Sequence, residues 1–164
     1  MRTLSLLIAL ATVLGWQCAH ARPLDNLGHC PLNAQVVPAA GSYQGTAPTA
    51  LTVSAFARAH AAHTQDQMPW LAKLTGGSGR NRVYVQGKKK VLLVTVCDPA
   101  NCERVRAYVA FEPSTNTWGA RLYLDDQVQE LGVPIMAGAE TQILPQEVAQ
   151  AVICAQNLDW GGRR

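Results

Sequence analysis

Five cysteines, four histidines and an Asp-Asp pair give this sequence its means of binding a metal, carrying a redox couple or moving a proton. Their spacing narrows the chemistry. Cys97 and Cys102 enclose four residues, whereas a thioredoxin-type redox pair encloses two. A zinc site needs closely spaced ligands, yet no Cys-x2-Cys occurs, and His60 and His63 stand far from the cysteines in sequence. Those two histidines, three residues apart, can share a helix face, but no third ligand or carboxylate accompanies them. They read as surface or boundary residues. Asp125 and Asp126 are adjacent in a turn and read as solvated loop residues, not as an acid/base pair. Thr75-Gly76-Gly77-Ser78-Gly79 reads as a loop, because no strand leads into it and no Lys-Ser/Thr pair follows to make a phosphate cradle. Lys88-Lys89-Lys90, after Gly87, reads as a solvated hairpin tip. No nucleophile, base and orienter come together. The reading is therefore non-catalytic, with no metal and no cofactor.

The N-terminus accounts for the cysteines. Arg2, an apolar run from Leu6 to Leu14 broken only by Thr12, and Ala19-His20-Ala21 form a secretion signal, with cleavage expected after Ala21. The run is too short for a span, which needs roughly 20 apolar residues. Trp16 and Gln17 before Cys18 do not fit a lipobox. The expected product is an exported chain without membrane insertion. Cys18 leaves with residues 1–21, and the four cysteines that remain read as two disulfides. Cys97 and Cys102 meet at little loop-entropy cost, which leaves Cys30 for Cys154. The formal net charge is +3, one unit less without Arg2, too little for a nucleic-acid footprint.

The elements that must position these residues follow from periodicity. Residues 22–50, rich in Pro, Gly, Ala and Ser, read as an irregular segment pinned by Cys30. A single domain is expected over 51–164. Thr52 is a candidate N-cap for a helix to about Ala62, with Val53, Phe56, Ala57 and His60 on one face. Met68-Pro69-Trp70-Leu71 is a compact apolar cluster, Trp70 its anchor. Strands are expected at Arg82–Gln86, Val91–Val96, Arg104–Phe111 and Trp118–Leu124, with an edge strand at Val133–Met136 interrupted by Pro134. Pro145 opens a helix to about Gln156. The fold class is α+β: an antiparallel meander with helices packed on one face.

Between two of these strands lies Cys97-Asp98-Pro99-Ala100-Asn101-Cys102. The disulfide and Pro99 both restrict it, so little ordering entropy is lost when it docks. Spacing alone is equally satisfied by a structural staple and by a docking tip.

The order of Phe56 in a helix, Met68-Pro69-Trp70-Leu71-Ala72-Lys73, a Gly-containing loop, an apolar strand, Cys-x-Pro-x-x-Cys and an Arg-containing strand resembles the inhibitor of vertebrate lysozyme (Ivy) family of periplasmic proteins. The likeness covers about residues 51–125. In that family the loop typically reads Cys-Lys-Pro-His-Asp-Cys, and the resemblance implies that it enters the lysozyme cleft, its His engaging the catalytic carboxylates. Cys97, Pro99 and Cys102 match; Asp98, Ala100 and Asn101 stand in place of Lys, His and Asp. Ala100 has no side-chain donor and Asp98 repels carboxylates, while the Asn101 amide can still donate. Vertebrate lysozymes are basic, and this chain's small positive charge gives no attractive field toward them.

The resemblance thus implies a divergent member, located in the periplasm, whose loop residues Asp98, Pro99, Ala100 and Asn101 block another muramidase. The partner is a lysozyme-like enzyme or lytic transglycosylase (host, endogenous or a delivered toxin), and a homodimer is also open to it. The alternative is an envelope module without inhibitory activity, binding a glycan or another protein through a sheet face of Arg104, Arg106, Tyr108, Arg121 and Tyr123.

Overall fold

The computed structural model describes residues 28–125, 127–132 and 144–161. The leader at 1–21, Asp126 and the edge strand expected at Val133–Met136 lie outside them. In chain order the elements are β1 (Gln35–Pro38), a 3-10 turn (Gly41–Tyr43), α1 (Ala47–Ala50), α2 (Ser54–Thr64), α3 (Pro69–Ala72), β2 (Gly77–Ser78), β3 (Arg82–Gln86), β4 (Lys89–Cys97), β5 (Val105–Glu112), β6 (Thr117–Leu124), β7 (Gln127–Leu131) and α4 (Gln146–Gly161). The strands make one seven-stranded antiparallel sheet ordered β1-β3-β4-β5-β6-β7, with β2 paired to the far end of β4.

The four strands expected from the sequence, three from alternation and Val91–Val96 from its apolar β-branched run, are all present. Period-two patterning sends Val105, Ala107, Val109 and Phe111 of β5 to one face, and Tyr108 and Ala110 to the other. Three elements differ from expectation. The segment 22–50 is not irregular throughout: Gln35–Pro38 pairs with β3, and Pro38 is tolerated because β1 is an edge strand. Thr52 is not the cap of α2. Val53 takes that position, while the Thr52 hydroxyl donates to the Thr49 carbonyl at 2.8 Å and closes the preceding turn. Gln127–Leu131 forms β7 on the edge beside β6. Its largely exposed residues carry no apolar alternation to betray it.

The helices cover both faces of the sheet, not one. On the first face Phe56, Trp70, Leu71 and Leu74 pack against β4, β5 and β6. On the second, Val148, Ala151, Val152 and Ala155 of α4 cover Leu93, Tyr108, Ala110 and Tyr123. Close approach there depends on small residues. Ala110 pairs with Gly119, and a Cβ at Gly119 would stand 2.9 Å from Val148. Both disulfides are formed: Cys30–Cys154 ties the N-terminal lead-in to α4, and Cys97–Cys102 closes the β4–β5 loop.

His60 is a core residue, not a surface or boundary one, at 1% exposure. It stacks on Phe56, and its Nε2 lies 3.0 Å from the Leu71 carbonyl, which requires the proton on that nitrogen. Nδ1 is buried and has no partner among the described residues. Burial, partly countered by hydrogen bonding to the backbone, lowers the His60 pKa below its ordinary 6.5. Below pH 6.5 the unfolded chain therefore takes up a proton that the folded chain refuses. Stability present above 6.5 is lost as pH falls through the lower folded-state value, at up to about 1.4 kcal/mol per pH unit. Urea midpoints at pH 8 and pH 5 check this. The wild type should lose stability over that interval and His60→Gln should lose less; equal losses would remove His60 from the account.

Candidate functional site

β4 ends at Cys97, buried at 3% exposure, and β5 begins at Val105. Ladder bonding runs one residue past β4, the Asp98 N–H donating to the Val105 carbonyl at 3.0 Å. The chain then folds on itself. The Asp98 Oδ1 accepts the Ala100 N–H at 2.9 Å, and the Asp98 carbonyl accepts the Asn101 N–H at 3.0 Å. An acidic side chain bonded to its own backbone two residues on is an Asx-turn. The Asn101 carbonyl in turn receives the N–H groups of Arg104 and Val105 at 3.2 and 2.9 Å. Sulfur bridge, proline and turn together fix the six-residue ring.

Its surface is equally defined. Pro99 and Ala100 are exposed at the tip, with Asp98 and Asn101 half-buried beside them. One carboxylate oxygen of Asp98 is turned back onto the loop, so part of its charge is engaged within the turn. The Asn101 side-chain amide makes no hydrogen bond among the described residues, leaving its donors available. Cations flank the ring: Arg106 donates to the Cys102 carbonyl at 3.3 Å, and Arg104 pairs with Asp125 at 2.9 Å in solvent.

Sequence reasoning missed what stands behind the ring. Gly76 and Gly77 are not a free loop; Gly77 and Ser78 pair with Cys97 and Val96. A Cβ at Gly76 would lie 1.8 Å from the Cys97 carbonyl oxygen, and one at Gly77 would lie 2.8 Å from the Cys97 sulfur. Only glycine lets a backbone come this close to the bridge. The adjacent glycines were the available signal, readable as close approach once a phosphate cradle is set aside. No protein-family model, curated protein or solved structure matches this chain.

The other sequence candidates are placed elsewhere. His63 stacks on Trp118 at 5.0 Å, away from the ring. Among the described residues no three His, Cys, Asp or Glu side chains are grouped to hold a metal, and no helix is long and apolar enough to cross a membrane. The five-residue sheet face named for the alternative reading is not a surface. Tyr108 and Tyr123 are 1% and 4% exposed beneath α4. Arg121 is turned to Glu130, donating from Nε at 2.8 Å and again from Nη2. Glu130 also accepts the Leu144 N–H at 2.6 Å, and Gln156 bonds the Tyr123 hydroxyl. Of that set, Arg104 is exposed and Arg106 half-buried, both beside the Cys97–Cys102 ring, while Arg121 is half-buried against Glu130.

Proposed function

We propose that this protein is an exported, periplasmic, non-catalytic inhibitor or immunity-type protein, delivered by a leader cleaved after Ala21. It blocks a lysozyme-like muramidase or a lytic transglycosylase by inserting the Cys97–Cys102 loop into the active-site cleft. The observation that carries this reading is the exposed Pro99-Ala100 tip on a ring already fixed by its disulfide and internal hydrogen bonds. A tip fixed before contact loses little conformational entropy on docking. Its small side chains let the loop backbone go deep into a cleft. The Asn101 amide, unbonded among the described residues, supplies a donor to a catalytic carboxylate.

The test uses the folded, oxidised protein against a panel of muramidases and lytic transglycosylases. Asn101→Ala should weaken the tightest interaction about tenfold, the size of one hydrogen bond to a charged group. Asp98→Asn, which removes the repulsive charge and keeps an oxygen for the Ala100 N–H, should strengthen it. If both variants bind every enzyme as the wild type does, the loop is not the site.

A further inference from the structure

Beside the ring, on the α4 face of the sheet, a groove of about 570 Å³ opens between β1 and β2, with the Cys97–Cys102 bridge as one wall. Its size falls in the range of small-ligand pockets, about 300–1,000 Å³. Among the described residues, Arg80, Arg82 and Arg106 line it against a single carboxylate, Asp159. Arg82 is already committed: its two terminal nitrogens donate to Asp159 at 2.8 and 3.0 Å, and one also donates to the Thr95 hydroxyl at 3.1 Å. Arg80 and Arg106 have no acidic partner among the described residues. The one side-chain hydrogen bond Arg106 makes there goes to the Cys102 carbonyl. Two guanidinium groups with unused donors thus face one groove.

The rest of the lining limits what those cations can hold. Val36, Val37 and Pro38 make an apolar wall, and Gly77 and Gly79 present backbone with little side chain in the way. At Gly79 even an added Cβ would meet nothing within 4 Å. A dianion such as phosphate would crowd against Asp159, whereas a carboxylate brings one charge for the planar fork of an arginine. The apolar wall asks for a hydrocarbon group next to that charge. A peptide C-terminus has both, joined by one carbon.

We propose that this groove binds the C-terminal carboxylate of a short peptide, held by Arg80 and Arg106, with the last side chain against Val36 and Pro38. Pro99 and Ala100 do not line the groove, so this site stands or falls separately from the inhibitory tip.

Titration calorimetry of the oxidised protein with N-acetyl-Ala-Ala as the free acid, as the carboxamide, and with inorganic phosphate tests it. The acid should bind at least about tenfold tighter than the carboxamide and than phosphate, the worth of one charge-assisted contact. R80Q and R106Q should each weaken the acid about tenfold, with thermal melts showing the fold retained. Equal binding of acid and carboxamide would overturn the proposal on the wild type alone. So would phosphate binding as tightly as the peptide, variants that bind as the wild type does, or no saturation by about 10 mM acid.

Discussion

Replacing Cys30 by Ala and Cys154 by Ser together is expected to destabilise the protein by about 4–5 kcal/mol, read as a lower guanidinium midpoint with a steeper slope as the opened unfolded chain exposes more surface. The bridge spans 124 positions in sequence, so its loss releases a very long loop in the unfolded chain. In the native state it is also well placed. Cys154 is 1% exposed on α4, and the contact between the lead-in and α4 is extended by Asn157 donating to the Gly28 carbonyl at 3.2 Å. The same chain-entropy argument gives the Cys97–Cys102 ring, only five positions wide, about 2 kcal/mol. The two bridges should therefore separate experimentally. Opening the long one lowers global stability, and opening the short one chiefly frees the tip. A loss below about 1 kcal/mol for the Cys30/Cys154 double variant would contradict this assignment.

The second large effect is expected at Gly76. An alanine there would place Cβ 1.8 Å from the Cys97 oxygen and 2.9 Å from its carbon, both main-chain atoms of β4. No flexible side chain can move aside, so β2 must leave β4 or β4 must bend. Gly76→Ala should cost at least about 3 kcal/mol, the upper end of overpacking losses. Gly79→Ala is the matched control. Three residues away, it meets open space and should change stability by no more than about 0.5 kcal/mol. Similar denaturation midpoints for the two variants would show that β2 does not brace the disulfide.

The sheet was the most legible part of the chain: β3, β5 and β6 declare themselves by alternation, and β4 by its β-branched apolar run from Val91 to Val96. Cysteine parity and spacing likewise anticipated the two bridges. β1 and β7 escaped because edge strands need only one partner and carry exposed side chains such as Val128, so no alternation marks them. The second covered face was legible in retrospect. Tyr108 and Tyr123, read as a polar face with their arginine neighbours, are aromatics buried beneath α4, the Tyr123 hydroxyl bonded to the buried Gln156. His60 carries no local mark of its burial either, because one carbonyl to Nε2 and a ring stack on Phe56 are enough to hold it in the core. At the candidate site, the ring was visible from Cys-x-Pro-x-x-Cys. Its bracing by Gly76 and Gly77 depends on a pairing distant in sequence, which no local pattern encodes.

Whether the Cys97–Cys102 tip occludes a muramidase cleft is read directly from turnover. Purified, oxidised protein is titrated into a panel of lysozyme-like muramidases and lytic transglycosylases acting on cell-wall substrate. Ala100→Trp serves as the blocked-tip variant, because its exposed side chain should widen the tip without disturbing the core. At least one enzyme should lose activity in proportion to added protein, and Ala100→Trp, folded as the wild type, should leave that enzyme active. If no enzyme of the panel is inhibited, or if Ala100→Trp inhibits as well as the wild type, the tip does not enter a cleft.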